Sequence, residues 1–313
     1  MTVGISLTNG LEAIIITDSQ GTARGRESNS SKKVKCFNND NYNGVLFTAG
    51  SGNHGSYVLK CLDEIPDELF EDYVEAVKMK VRLLIDSYDS ETIEAYKREV
   101  EKKAKLVTDE EERKGFIHQE TSKKMIEFDQ YKNNPNNTSS FIAVAYDKKS
   151  GKIRSFHLNS EVKSELFYPN VEIGSGNDGA SLYFMTKLQG VDIEKMNISE
   201  LVFFAMNAYS ISTIYEGVSG TPSLAVINKE GVDNISKDKR VALSNLSCAY
   251  LSEFSRDLTP EATIKYVERI LTGEESVYEE LSKVLKTGKD ALTSTYITYN
   301  SWQERSNSNL FSK

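Results

Sequence analysis

The 313-residue sequence is poor in cysteine and histidine, with three of each. Cys36, Cys61 and Cys248 are odd in number, far apart and without a Cys-x-x-Cys pair, which argues against a disulfide framework, a zinc site and a redox motif. The histidines also lack the spacing of metal ligands. We therefore expect a protein that needs neither a metal ion nor a cofactor, and whose cysteines are reduced.

Long apolar runs and clustered positive charge are also missing, and each absence disfavours a class of protein. No segment approaches the roughly 20 consecutive apolar residues of a membrane-spanning helix. A formal net charge of −8 argues against a nucleic-acid-binding face, because such faces displace counterions with clustered Lys and Arg. The N-terminal segment lacks the basic flank and cleavage site of a secretory signal. These features predict a cytoplasmic protein that binds neither membranes nor nucleic acids.

The first half of the chain begins with strands and continues with helices. Residues 2–8 and 11–17 are rich in β-branched side chains and flank an Asn-Gly dipeptide, which predicts a hairpin. A buried strand at 44–50 runs into glycine, and apolar residues at helical spacing then predict two helices over 53–84. Residues 88–136 are rich in Glu and Lys, which predicts an exposed, partly helical insertion.

The second half repeats this order. Strand patterns return at 140–146 and 153–158, helical patterns follow at 177–188 and 198–214, and a further strand is predicted at 223–228. Strand runs that alternate with helix pairs predict antiparallel sheets covered by helices, in a mixed α+β fold. We expect one domain over residues 2–235 and a helical C-terminal extension over 236–313, in which Thr259 caps a helix that begins at Pro260.

Four motifs carry candidate chemistry. The first is Thr2, which becomes the N-terminal residue once Met1 is removed. An α-amino group has an ordinary pKa of about 7.7–8.0, which suits a general base, so one residue would supply both nucleophile and base. The second motif is Asp18, and the third is Lys33. A lysine beside a nucleophile favours its deprotonated oxygen, and a neighbouring carboxylate keeps that lysine charged.

The fourth motif is the glycine turn Thr48-Ala49-Gly50-Ser51-Gly52 between a strand and a helix. In their order and spacing, these motifs resemble the proteasome β-subunit and HslV family of N-terminal-nucleophile hydrolases, over roughly residues 2–230. The resemblance implies a four-layer αββα sandwich, to which the helical insertion and the C-terminal extension are additions. It also implies a threonine peptidase that forms an acyl-enzyme intermediate.

The resemblance assigns further roles in the same site. It implies that Asp18 and Lys33 set the electrostatics around Thr2, that the amide of Gly50 faces the oxyanion, and that Ser175 lies near the N-terminal amine. An oxyanion at that glycine would also gain from the positive end of the following helix.

Substrate contacts and a supporting pair follow from the resemblance as well. The backbone of Thr22 would pair with an extended substrate, and Thr48 would help to form the specificity pocket. Glu216 and Ser219 match a supporting Asp and Ser of the family, with Glu standing where the family has Asp. The family further implies peptide or unfolded-protein substrates and homo-oligomeric rings.

Two other functions stay open at this point. A peptide ligase of the connectase type resembles the same family and passes the acyl group to an amine instead of water. A catalytically silent scaffold subunit would share the fold, although it would have no need of Thr2, Asp18 and Lys33 together. Because no GxxxxGK phosphate loop is present, any nucleotide dependence would come from an ATPase or other regulatory partner.

Overall fold

The computed structural model of the chain describes residues 3–18, 21–23, 26–28, 34–50, 52–61, 73–132, 139–158, 163–166, 169–174, 176–213, 222–252 and 258–292. These residues form a mixed α+β fold with two five-stranded antiparallel sheets and one pair of short strands. Within these ranges, no helix combines the length and the apolar character needed to cross a membrane.

The strands, in chain order, are β1 (Val3–Thr8), β2 (Ala13–Thr17), β3 (Gly21–Ala23), β4 (Arg26–Ser28), β5 (Val34–Asn38), β6 (Tyr42–Gly50), β7 (Ser139–Asp147), β8 (Lys152–Leu158), β9 (Lys163–Leu166), β10 (Asn170–Gly174), β11 (Ser223–Asn228) and β12 (Gly231–Asn234). The first sheet has the order β10-β1-β2-β11-β12, and the second has the order β5-β6-β7-β8-β9. The predicted N-terminal hairpin is confirmed, since β1 and β2 pair antiparallel.

The helices are α1 (Gly52–Cys61), α2 (Tyr73–Ala104), α3 (Glu110–Lys132), α4 (Asn177–Lys187), α5 (Ile198–Ser212), α6 (Lys237–Leu251), α7 (Pro260–Thr272) and α8 (Ser276–Leu292). The predicted start of α7 is confirmed. Thr259 is its N-cap, and the Thr259 side chain accepts a hydrogen bond of 3.3 Å from the amide of Ala262. Pro260 fits the first helical position because that position needs no amide donor.

One apolar cluster joins the two sheets. Along β2, Ala13 and Ile15 contribute to this cluster, whereas Ile14 and Ile16 belong to a different one on the opposite face. This alternation follows from the period of two in a strand. The second sheet contributes from β6 and β7, mainly through Val45, Phe47, Ala49, Ile142 and Val144. The inner faces of both sheets therefore share one core.

Helices cover the other face of each sheet. The outward face of β1, β2 and β11 packs with α4 to α8 in the largest cluster, to which α6 contributes Ala242, Leu243 and Leu246. The outward face of β6, β7 and β8 packs with Val58 of α1 and Val81 of α2. The C-terminal helices therefore form part of the core, whereas their sequence alone suggests an appendage.

Two long helices occupy most of the predicted insertion. In α2 and α3, Lys132 pairs with Asp89 at 2.6 Å, and the rings of Tyr96 and Phe128 meet edge to face at 6.1 Å. Phe128 is buried in this small seam. The segment is therefore a charged helical hairpin that carries its own apolar contact.

Four hairpin turns lie together at one end of the two sheets. The amide of Ile153 donates to the carbonyl of Gly10 at 2.8 Å, which joins the β7–β8 turn to the β1–β2 turn. The side chain of Asn43 donates to the carbonyl of Lys229 at 3.1 Å, which joins β6 to the β11–β12 turn. The starts of β1, β5, β7 and β11 and the ends of β2, β6 and β10 consequently lie at the opposite end. We call this opposite end the open end.

Each of the four turns is held by an Asn or Asp side chain. In every case one side-chain oxygen accepts hydrogen bonds from two backbone amides that follow it in the chain, and the residues are Asn9, Asn39, Asp147 and Asn228. Such side chains mimic a backbone turn and satisfy its donors locally. At the turn end, these backbone amides therefore have hydrogen-bond acceptors within their own turns.

Glu172 generates a pH-dependent prediction for the edge strand β10. Its carboxylate accepts hydrogen bonds from Asn170 at 2.5 Å and from Ser181 of α4 at 3.1 Å, yet burial raises its pKa above the ordinary 4.5. A carboxyl whose pKa is raised on folding stabilises the fold below its unfolded pKa, and that stabilisation is lost as the pH rises through its folded pKa.

We therefore expect Glu172→Gln to gain stability relative to the native protein as the pH rises above about 4.5. Urea unfolding between pH 4 and pH 8 measures this difference. A difference that does not change with pH would contradict the assignment.

Gly55 generates a packing prediction for α1. A Cβ atom at Gly55 would lie 2.7 Å from Oγ1 and 2.9 Å from Cγ2 of Thr48 on β6. Gly55→Ala should therefore destabilise the protein by about 1–3 kcal/mol, since overpacking forces the helix or the strand to shift. At Gly115 of α3 an added Cβ meets nothing within 4 Å, so Gly115→Ala should stabilise by up to about 1 kcal/mol.

Thermal and urea unfolding compare the two alanine variants. Thr48→Ala in the Gly55→Ala background removes both clashing atoms and should recover most of the loss. Equal stability of Gly55→Ala and Gly115→Ala would show that α1 does not pack as closely as described.

Candidate functional site

Asp18 is a buried residue of the predicted site. It directly follows β2 at the open end, and its side chain is only 1% exposed. Its Oδ1 accepts a hydrogen bond of 3.2 Å from the amide of Val3, and its own amide donates to the carbonyl of Val3, also at 3.2 Å. Asp18 therefore holds the residue that follows Thr2 in the chain through both backbone polar groups.

Five predicted site residues lie outside the described ranges, namely Thr2, Lys33, Ser175, Glu216 and Ser219. The described chain neighbours of three of them lie at the open end. Val3 begins β1, Val34 begins β5, and Gly174 ends β10 with a φ of 95° and pairs with Val3.

A close contact between the sheets brings these strand ends together. A Cβ atom at Gly4 would lie 2.7 Å from the ring of Phe47, so only glycine lets β1 approach β6 this closely. In the second sheet, Phe47 pairs with Val34. The starts of β1 and β5 and the last part of β6 therefore share one neighbourhood.

Gly50 ends β6 within this neighbourhood and pairs with Ser139 of β7. The helix α1 begins at Gly52, shortly after this glycine, and has no acidic residue in its first turn. The first amides of a helix lack intrahelical partners and carry a partial positive charge, so a developing anion is stabilised near them. The end of β6 at Gly50 and the first amides of α1 are the kind of backbone elements that an oxyanion site requires.

Thr48 faces α1 and is only 6% exposed. Its Oγ1 has no hydrogen-bond partner among the described residues, and it lies beneath Gly55. Its role in a specificity pocket stays a prediction. Thr22 lies in β3 and pairs with Glu27 of β4, and β3 contacts α1. The strand predicted to bind an extended substrate therefore approaches the helix that follows Gly50.

The interior next to Asp18 contains polar groups that the sequence analysis does not single out. The hydroxyls of Ser6 and Thr17 are buried between the sheets, and neither has a hydrogen-bond partner in the described part of the chain. Alternation along β2 indicates that Thr17 faces inward, because it shares a face with Ala13 and Ile15. Along β1 the same period gives no such signal for Ser6, since Ser6 alternates with apolar residues.

Arg240 is a second residue that sequence reasoning misses. It is half-buried in α6, and its Nη1 donates to the carbonyl of Pro222 at 2.7 Å. Pro222 directly precedes β11 at the open end. An arginine in a charged run at a helix start is ordinarily solvated, so the sequence contains no signal for this contact.

The described ranges contain no group of three or more His, Cys, Asp and Glu residues that could hold a metal ion. His157 lies on β8, and burial lowers its pKa. The described part of the site contains backbone amides, one buried carboxylate and one guanidinium.

Two substitutions test how Asp18 holds β1. Asp18→Ala removes a charge-assisted acceptor from the amide of Val3 and should lower stability by about 1.5–3 kcal/mol. Asp18→Asn keeps an acceptor oxygen and should lose less. Urea unfolding measures both, and hydrogen exchange at the Val3 amide should accelerate in Asp18→Ala. Equal stability of both variants and the native protein would exclude the bond.

Comparison with known proteins does not extend this description. No protein-family model matches the chain, and no curated protein matches it either. The resemblance to proteasome β-subunits and HslV therefore rests on the four sequence motifs. The structure shows a mixed α+β protein with two antiparallel sheets.

Proposed function

We propose that this protein is an N-terminal-nucleophile hydrolase that cleaves peptide bonds with Thr2 after removal of Met1. The observation that carries the proposal is the pair of hydrogen bonds between Asp18 and Val3. A buried carboxylate is ordinarily unfavourable unless it is hydrogen-bonded, and this one is fixed on the residue next to the proposed nucleophile. Such a placement fits a group that serves a reaction at the N-terminus.

The packing of the sheets supports the fold that this function requires. The three apolar clusters lie, in order, between α4–α8 and the first sheet, between the two sheets, and between the second sheet and α1–α2. We infer a four-layer αββα sandwich of the N-terminal-nucleophile type from this order. In such a sandwich the strand ends of both sheets can contribute to one site, as β1, β2 and β6 do here.

The proposed reaction begins with attack of Thr2 Oγ on the carbonyl carbon of a peptide bond. The hydroxyl proton passes to the α-amine of Thr2, and the carbonyl oxygen becomes an oxyanion. Collapse of this intermediate breaks the C–N bond, and the leaving amine takes the proton. The substrate acyl group is then an ester of Thr2, which water hydrolyses in the second half-reaction.

The surrounding residues have distinct proposed roles. The amide of Gly50 stabilises the oxyanion, and the start of α1 adds its partial positive charge. Lys33, directly before β5, favours the deprotonated form of the nucleophile, and Asp18 supplies the balancing negative charge. Ser175, Glu216 and Ser219 support the amine, while Thr22 and Thr48 bind the substrate.

The proposal extends to substrate and assembly. An extended peptide or unfolded protein would pair with the β3 backbone, because an edge strand binds extended chains through main-chain hydrogen bonds. We propose a homo-oligomer that encloses these sites in the cytoplasm. An ATPase or other regulatory partner would supply any dependence on nucleotide.

Intact mass spectrometry before and after treatment with a threonine-directed epoxyketone or β-lactone tests the proposed nucleophile. We expect loss of Met1 and one adduct on Thr2, because a free N-terminal threonine combines the hydroxyl with the neighbouring amine. Thr2→Ala should form no adduct, whereas Thr2→Ser should retain labelling because it keeps a hydroxyl next to the amine.

A retained Met1 and no adduct would contradict the proposal and favour a scaffold. Incubation of a cleavable peptide with an added amine acceptor separates the two enzymatic outcomes. Hydrolysis yields the free acid, whereas ligation yields a product joined to the acceptor.

A further inference from the structure

Arg240 is placed where a positive charge is unfavourable for stability. It lies close to the N-terminus of α6, where the helix dipole is also positive. It is half-buried, and burial lowers its pKa. Its Nε is buried and has no hydrogen-bond partner within the described ranges. A neutral side chain would avoid the repulsion by the helix dipole, the burial of a charge and the donor without a partner.

The described residues place no carboxylate in an ion pair with Arg240, and burial is the cause that lowers its pKa. The nearest charged residues on α6 are Lys237, Asp238 and Lys239, and α5 carries only Glu200, close to its start. Within the described ranges the Arg240 guanidinium donates one hydrogen bond, to a neutral carbonyl.

The carbonyl belongs to Pro222, and Pro222 is connected to Asp18 through neighbouring residues of two paired strands. Pro222 is buried and directly precedes Ser223, and Ser223 pairs with Thr17 of β2. Asp18 follows Thr17 and binds Val3 through two hydrogen bonds. Since adjacent strands lie about 4.8 Å apart, the start of β11 is roughly 10 Å from β1, two strands away.

We propose that Arg240 is a positioning residue of the site formed by Asp18 and Thr2. Its guanidinium fixes the carbonyl of Pro222 and, through the pairing of β11 with β2, fixes the end of β2 from which Asp18 holds Val3. This inference rests on the proposed function, because the position of Val3 matters for catalysis only if Thr2 is the nucleophile.

The physical reason for an arginine at this position is the buried carbonyl. A buried backbone oxygen needs a donor, and a charged donor forms a shorter and stronger bond than a neutral one. At the start of a strand, this bond also resists fraying of β11 away from β2. A displacement of about 1 Å at a reacting group can slow a reaction by about 100-fold, so a fixed strand end has a measurable effect.

Two measurements on Arg240→Met and Arg240→Lys in the full chain test the proposal. The first is the rate of adduct formation on Thr2 with the β-lactone, resolved into the maximal rate constant and the half-saturating concentration. Arg240→Met should lower the maximal rate constant about 10- to 100-fold with little change in the half-saturating concentration. Arg240→Lys keeps a charged donor and should recover part of the rate.

The second measurement does not depend on activity. The Val3 amide is observed by NMR after selective ¹⁵N-valine labelling, with Val3→Ile as the assignment control. In Arg240→Met its hydrogen exchange should accelerate, because the acceptor Asp18 is no longer held in place. Arg269→Met serves as the matched control. Arg269 lies in α7 and forms ion pairs with Glu274 and with Glu280 of α8.

The outcomes separate the two proposals. If the native protein forms no adduct, the proposed function fails and the role of Arg240 fails with it. If the native protein reacts but Arg240→Met reacts at the native rate, or leaves Val3 exchange unchanged, only the role of Arg240 is overturned. The same loss of rate in Arg269→Met would also overturn it, because general destabilisation would then explain the effect.

Discussion

The close contact between β1 and β6 is the constraint on which the candidate site depends. Gly4 allows the backbone of β1 to lie against the ring of Phe47, where a Cβ atom would come within 2.7 Å. Since Phe47 lies three residues before Gly50 and Gly4 two residues after Thr2, this contact sets how near the two chain segments approach each other. The hydrogen bonds of Asp18 then fix Val3 laterally within the first sheet. Packing and hydrogen bonding thus constrain the start of β1 in different directions.

The described polar groups at the two ends of the sheets differ in their hydrogen-bond partners. At the turn end, four Asn or Asp side chains bind the backbone amides of the hairpin turns, so polarity there stabilises the fold locally. Towards the open end, the hydroxyls of Thr17 and Thr48 are buried without a hydrogen-bond partner in the described ranges. In the described part of the chain, polar side chains therefore stabilise the turn end, while these two hydroxyls lie buried near the candidate site.

Sequence periodicity predicts most of the elements because their apolar faces are long and regular. The hairpin of β1 and β2, the strands β6 to β8 and the helices α4 and α5 all follow from apolar residues at a period of two or about 3.6. Short strands such as β9 and β12 have too few residues for a period to be recognised. The packing of α6 into the main core is also unpredictable from spacing, because an amphipathic helix reveals that it has an apolar face but not which sheet that face covers. In the site, Asp18 is identified through the resemblance of its motif to a known family, whereas the contact of Arg240 with Pro222 joins residues that no local pattern connects.

Arg240 and Asp18 each use a charged side chain to hold a backbone group near the start of a strand. Neither forms an ion pair with the other in the described contacts, and each binds a backbone group at the start of a different strand, Pro222 and Val3. A hydrogen bond from a charged group to the backbone fixes a strand end more firmly than a neutral contact does. If the only requirement at Arg240 were stability, an apolar residue of similar size would avoid the desolvation of its charge. Its hydrogen bond to Pro222 offsets part of that cost, and together with the bonds of Asp18 it fixes β11 and β1 relative to β2 at the open end.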